Sequence, residues 1–197
     1  MNDRLKHIYE VALVALSQNG YHATSMRDIA TAVGIQTPSL YNYFSGKQDL
    51  LFRLMRSVME DLTEQTRSAV AQHEGDPLAG LRAAIETFVL FNTTHPNEAA
   101  VSDAGLSTLN AGQRQAIVDF RDEFDAIYTG LIRTGMDREV FSQGDPVIAK
   151  NAITSACARI YLWYRPGGRC TPDELAHTLS NYLTAGLLRD GTTKEVL

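Results

Sequence analysis

Apolar side chains recur along this chain with the period of a helix almost from its first residue. Leu5, Ile8, Ala12, Ala15 and Leu16 share one face, and that helix is expected to stop near Asn19-Gly20. A second helix is expected from Ser25. There Ser25 and Asp28 have the spacing of a reciprocal cap, and Met26, Ile29, Ala30 and Val33 form an apolar stripe that ends at Gly34. Gln36-Thr37-Pro38 opens a short third helix, with proline where a missing N–H does no harm. After Ser45-Gly46 a long helix runs from about Lys47 towards His73. Asp76-Pro77 starts another, reaching about Thr94, and His95-Pro96-Asn97 breaks it before a shorter one. Longer helices follow from about Asn110 to Thr134, from Asp145-Pro146 to about Tyr164, and from Thr171-Pro172 to about Leu188. No segment alternates with the period of a strand, so the expected fold class is all-α.

The stretch from Ser25 to Phe44 has the make-up of a helix-turn-helix. Two short helices that cross steeply need a small residue at the crossing, and Ala30 supplies it. The turn needs a residue that tolerates positive φ, and Gly34 lies four positions on. Ile29, Val33, Ile35, Leu40 and Phe44 are the apolar groups that would fix the crossing angle. The second of these helices then offers Thr37, Ser39, Tyr41, Asn42 and Tyr43, hydroxyls and an amide of the kind that meet base edges and phosphates. Lys47 would add its charge to the free amides of the next helix as a phosphate clamp, and Arg27 could reach a phosphate or a guanine edge. Plainer roles exist for several of these: Tyr41 and Tyr43 as packing against the first helix, Thr37 as a cap, Asn42 as a solvated residue.

The run from Ile8 to Leu51, with GYHATSMRDIATAVGIQTPSLYNYFSGKQDLL at its centre, resembles the N-terminal domain of the TetR family of regulators. The resemblance implies that Thr37, Ser39, Tyr41, Asn42 and Tyr43 lie on the recognition helix and that Arg27 and Lys47 match DNA-contact positions. It also implies a domain plan: a three-helix DNA-binding head over 1–46 and a larger helical ligand-binding and dimerisation domain over 47–190; residues 191–197, at the end of the chain, are expected to be a flexible tail. Family members pair through their last two long helices. Here Ala149, Ala152, Ala156 and Ile160 offer a small-residue seam, and Leu175, Leu179, Leu183 and Leu187 recur every fourth residue. Middle helices of the family enclose an effector cavity, for which the candidates are Met55, Met59, Phe88, Phe91, Phe120, Phe124, Tyr128 and Trp163. A filled core would use the same residue types. The segment from Ile160 to Arg169, with Thr171 to Leu175 after it, is similar to regulators of lipid or steroid breakdown. Several of those respond to acyl-CoA thioesters, and Arg159, Arg165 or Arg169 could then meet a CoA phosphate.

Charge sharpens this picture. The 197 residues carry a net charge of −5, which argues at first against nucleic acid, yet the chain is net +2 through Arg56 and net −7 beyond it. No apolar run is long enough for a membrane span, and the N-terminus lacks the apolar core of a secretory signal, so a cytoplasmic location is expected. Cys157 and Cys170 have no metal-ligand or redox spacing, and the five histidines show no helical pair, so no metal or cofactor is expected. Phosphate loops of the Walker type, HExxH and GxSxG are absent, which speaks against an enzyme. The expected function is a ligand-responsive repressor: a homodimer on a palindromic double-stranded operator, released by a small hydrophobic or acyl-CoA-like effector. A helical dimeric scaffold without sequence-specific DNA binding is the alternative.

Overall fold

Local capping chemistry sets where several helices begin. In the computed structural model, which describes residues 3–189 (the side chain of Ala104 excepted), α1 spans Asp3–Asn19, α2 Met26–Val33, α3 Thr37–Tyr41 and α4 Lys47–Ala71. Then come α5 (Pro77–Thr94), α6 (Pro96–Ala104), a 3-10 turn at Gly105–Thr108, α7 (Ala111–Asp137), α8 (Pro146–Ala158), α9 (Ile160–Trp163) and α10 (Pro172–Ala185). Asp76 and Asp145 each accept two backbone N–H bonds ahead of a proline at the first helical position, and Thr171 forms a reciprocal cap with Glu174. Among the described residues the chain is all-helical apart from one antiparallel bridge, Phe141 to Leu188. The expected flexible tail, 191–197, lies outside the described residues.

Two compact units form. The first gathers residues up to Glu60 together with Asn97–Phe120. Its core runs from Ile8, Ala12 and Leu16 of α1 through Ile29, Leu40 and Phe44 to Leu50, Leu54 and Met55 of α4, and it takes in Val101, Leu109 and Ile117. Residues 1–46 therefore share their core with the start of α4 and with the α6–α7 segment. Ser17 Oγ donates to Asn97 Oδ1 at 2.8 Å, and Gln48 Nε2 donates to the Thr108 carbonyl at 2.7 Å, fastening that segment to α1 and α4.

The second unit comprises Asp61–Pro96 and the chain from Arg121 onward. Here α10 packs along α5, and α8 leans on α5 as well. The α10 residues turned inward are Leu175, Ala176, Ser180 and Thr184, with Ser180 Oγ donating to Glu86 Oε1 at 2.7 Å. Leu179, Leu183 and Leu187 are half-buried, so three of the four leucines in the row keep part of their surface exposed. On α8, Ile153 and Cys157 face inward, Ala149 is half-buried, and Ala152 and Ala156 are exposed. Lys150 is also buried, with its Nζ 2.6 Å from Asp125 Oδ2 and 2.6 Å from Asn151 Oδ1. Burial pushes the Cys157 thiol up to about 12, so it stays protonated and unreactive near neutral pH.

Three boundaries differ from the sequence expectation. The helix opened by Pro146 breaks at Arg159 (φ −111°, ψ 19°) into α8 and the single turn α9. Neither proline nor glycine marks that break. α7 runs on to Asp137, carrying Gly135 inside it, and α10 ends at Ala185, because Leu187 and Leu188 bond instead to the 140–142 segment.

Candidate nucleic-acid interface

Ser25 closes the N-terminus of α2. Its hydroxyl accepts from the Asp28 N–H at 3.1 Å, while Asp28 Oδ2 accepts from the Ser25 hydroxyl at 2.6 Å and from the Ser25 N–H at 2.9 Å. The Ser25 hydroxyl, and after it the Ser25 backbone N–H, hold the Asp28 carboxyl below its ordinary range. A carboxyl lowered on folding stabilises the fold fully above the unfolded carboxylate range, and that contribution fades as pH falls through the lowered value. Ser25→Ala should remove about 1 kcal/mol from the fold, read as a lower midpoint in urea unfolding monitored by circular dichroism at neutral pH. An unchanged midpoint would show that the cap is dispensable.

Met26, Ile29 and Ala30 are buried beneath α2. At its end Gly34 takes φ 77°, where a side chain would be strained, and the Ile35 N–H returns to the Ala30 carbonyl at 2.9 Å. The chain thus reverses in a tight turn and starts α3 at Thr37. This helix has five residues and one fully buried side chain, Leu40. Phe44, just beyond it, is the second anchor and lies 5.9 Å from the Tyr9 ring.

Between these anchors, Tyr41 is 52% exposed and Asn42 is exposed. Thr37, Ser39 and Tyr43 are half-buried, with Tyr43 leaning on Phe44 at 6.3 Å. Arg27 is exposed on α2. These six residues occupy one helix-turn-helix and reach solvent at least in part. Tyr41 thus presents about half of its side chain to solvent, whereas Tyr43 divides itself between the core and the surface. Thr37 follows a cap, Gln36, that makes no side-chain bond.

Lys47 is placed differently. Its Nζ donates to the carbonyl oxygens of Tyr21 at 2.6 Å and Thr24 at 2.7 Å, and sits 4.1 Å from the centre of the Tyr21 ring. Two of its three N–H donors are committed inside the protein. Thr24 is buried, with its hydroxyl bonded to the Ala15 and Gly20 carbonyls, while His22 is exposed against the Tyr21 edge. Tyr21 went unremarked in the sequence. Its tie to Lys47 spans 26 positions, and no local pattern announces it. Arg53 and Arg56 pair with Asp49 and Glu60 along α4, at 2.9 and 3.0 Å.

The effector candidates are distributed between the units. Met55, Met59 and Phe120 belong to the first, where Met55 is fully buried core. In the second, Phe88, Phe124 and Tyr128 pack ring against ring at 5.0 and 5.2 Å, and the Tyr128 hydroxyl donates to the Ala84 carbonyl at 2.8 Å. Phe91 stacks on His95 and lines a cleft of about 520 Å³ between α4 and α5. Trp163 is 54% exposed, so anything it meets is met at the protomer surface and not in its interior. Arg165 bonds to the carbonyls of Leu162 and Tyr164 and so caps α9. No helix among the described residues is long and apolar enough to cross a membrane.

Comparison with known proteins agrees with this geometry. Residues 8–54 match the model of bacterial regulatory proteins of the tetR family, and residues 74–187 match that of the tetracyclin repressor-like C-terminal domain. The HTH-type transcriptional repressor KstR2 of Rhodococcus jostii (strain RHA1) is 28% identical over 187 residues, covering 93% of this chain and 91% of that one. The crystal structure of PfmR from Thermus thermophilus, a TetR family transcriptional regulator, superimposes with a TM-score of 0.84 at 25% identity, covering 92% of this chain and 99% of that one. AibR, solved in complex with isovaleryl coenzyme A and operator DNA, gives a TM-score of 0.84 at 26% identity, covering 91% and 97%. With its C-terminal family match spanning more than half its length and its helix-turn-helix in place, this chain belongs to the TetR family and is a transcription regulator, not an enzyme.

Proposed function

We propose that the chain is a cytoplasmic repressor that binds a palindromic operator as a homodimer and releases it on binding a small hydrophobic metabolite, with an acyl-CoA thioester as the leading class. The observation that carries the DNA-reading part is the contrast within α3, where Leu40 is fully buried and its neighbour Tyr41 is half in solvent. Residues 1–46 act as the reading head and 47–190 as the effector and pairing domain. Tyr41, Asn42 and the hydroxyls of Thr37, Ser39 and Tyr43 face the groove, and Arg27 reaches the backbone or a guanine edge. One five-residue helix reads few bases, which favours a twofold dimer with its reading helices about 34–36 Å apart.

Support for the effector class comes from relatives: AibR was solved with isovaleryl coenzyme A, and one KstR2 structure is described as that of a ketosteroid regulator. The aromatic residues of α5 and α7, with Phe91 at the α4–α5 cleft, are the proposed apolar lining. Exposed Arg169 is available to a phosphate. Helix α4 contributes residues to both units and is the proposed lever. Binding must favour one of two arrangements of the heads, and operator DNA must weaken effector binding by the same factor.

The test is a gel shift with DNA from upstream of the chain's own gene, titrated with salt and then with isovaleryl-CoA and a longer acyl-CoA. Sequence-selective, salt-sensitive retention that an acyl-CoA relieves is the expected result. Retention without relief would remove the effector class, and no retention across the flanking DNA would leave a helical dimeric scaffold. Tyr41→Ala should weaken specific binding between about fivefold and 100-fold and leave the thermal midpoint unchanged. A matched loss of folding would assign Tyr41 to the core.

A further inference from the structure

We infer that Lys47 is a positioning residue, an internal clasp that sets the pose of the recognition helix, and not a phosphate contact. The inference rests on the DNA-reading assignment above. Helix α3 is too short to hold its own orientation. It has five residues, one fully buried side chain and an N-cap without a side-chain bond, so its pose is inherited from the elements at its two ends. At the α2 end, the Gly34 turn and the Ile35–Ala30 hydrogen bond set the crossing. At the α4 end, the first residue of α4 is Lys47, and its ammonium reaches back to the turn that precedes α2.

The contacts of that ammonium suit a clasp. The two carbonyls it joins, Tyr21 and Thr24, bracket the α1–α2 turn, and Thr24 directly precedes Ser25, the cap of α2. Thr24 is itself buried and pinned to Ala15 and Gly20, so the turn is rigid and carries any force from Lys47 into α2. The Tyr21 ring provides a face for the charge at 4.1 Å. A compact ammonium fits between two carbonyls over a ring, whereas a planar guanidinium fork does not. Helices α2 and α4 are thereby locked at a fixed separation with α3 slung between them. With two donors bonded at 2.6 and 2.7 Å, the ammonium has only its third N–H for a phosphate.

The roles differ in what they do to specificity. A phosphate contact weakens binding to every sequence alike and lowers the salt slope by about 0.9. A clasp affects only the complex in which α3 must sit in register. The experiment measures fluorescence anisotropy of the full chain with its upstream operator fragment and with a scrambled fragment, over a salt series, for Lys47→Gln, Lys47→Arg and Tyr21→Leu. Lys47→Gln should bind the operator about fivefold to tenfold more weakly, with scrambled-DNA affinity and salt slope unchanged. Lys47→Arg should fail to restore the operator affinity, and Tyr21→Leu should show the same selective loss to a smaller degree. Full rescue by arginine with a reduced slope in Lys47→Gln would overturn the inference, as would unchanged operator binding. Hydrogen exchange on free protein provides a second readout. The amides that open α2 should exchange faster in Lys47→Gln or, should that variant not fold, in Tyr21→Leu, and equal protection would overturn the clasp. A parent chain that fails to select its upstream DNA would sink the proposed upstream operator, while hydrogen exchange still decides the clasp.

Discussion

Gly135→Ala should destabilise the chain by about 3 kcal/mol, the upper end of the usual overpacking cost, which for this length lowers the thermal midpoint by about 6–12 °C. Gly135 lies inside α7, where glycine is a poor helix former, yet one edge of the Phe141 ring fills the place a Cβ would take. A Cβ there would fall 2.9 Å from Phe141 Cγ and closer still to the ring edge. The ring has nowhere to go, being 1% exposed, and the Val140 and Phe141 N–H groups both bond to the Gly135 carbonyl. Phe141 also bridges to Leu188, and Ser142 bonds to Leu187, so displacing the ring loosens the segment that follows α10. Differential scanning calorimetry measures the effect. Gly135→Ala with Phe141→Leu should lose less than the sum of the two single changes, because the smaller side chain vacates the clash. A midpoint within a degree of the parent for Gly135→Ala alone would mean the ring moves aside freely.

The Gly135–Phe141 contact also marks where sequence reasoning stops. Helix starts were legible because their chemistry is local: Asp76-Pro77, Asp145-Pro146 and Thr171-Pro172 cap the helices they open within three residues. The helix-turn-helix was legible for the same reason, its Ser25 cap, Ala30 and Gly34 lying within ten positions. What depended on distant partners was not. A glycine near the end of α7 read as the start of a loop, since nothing nearby announced the ring six residues on. Lys47 read as a free charge because the carbonyls it binds lie 26 and 23 positions away. The fourfold leucine spacing did not pick out the buried face of α10, which is Leu175, Ala176, Ser180 and Thr184, two of them polar; Leu179, Leu183 and Leu187 stay half-buried.

Other residues add to the proposed pairing surface. Among the described residues, five of the seven exposed large apolar side chains fall between Val147 and Tyr182: Val147, Ile148, Leu162, Trp163 and Tyr182. Single exposed apolar residues need no explanation, but their concentration on α8, α9 and α10 makes these helices the proposed pairing surface. Ile148 is 68% exposed and Tyr182 74% exposed, while Ala152 and Ala156 leave the outer side of α8 low enough for a helix to approach closely. In a twofold interface each substitution enters twice, and a carboxylate placed there would be buried against apolar surface without a partner. Ile148→Asp and Tyr182→Asp should therefore each shift the chain from dimer to its 21.7 kDa monomer by light scattering, with helical content retained. Operator affinity should fall by at least about 100-fold, since a single head keeps only one half-site, while binding to scrambled DNA drops far less. A variant that remains dimeric at the parent's concentration and still holds the operator would place the pairing surface elsewhere on the molecule.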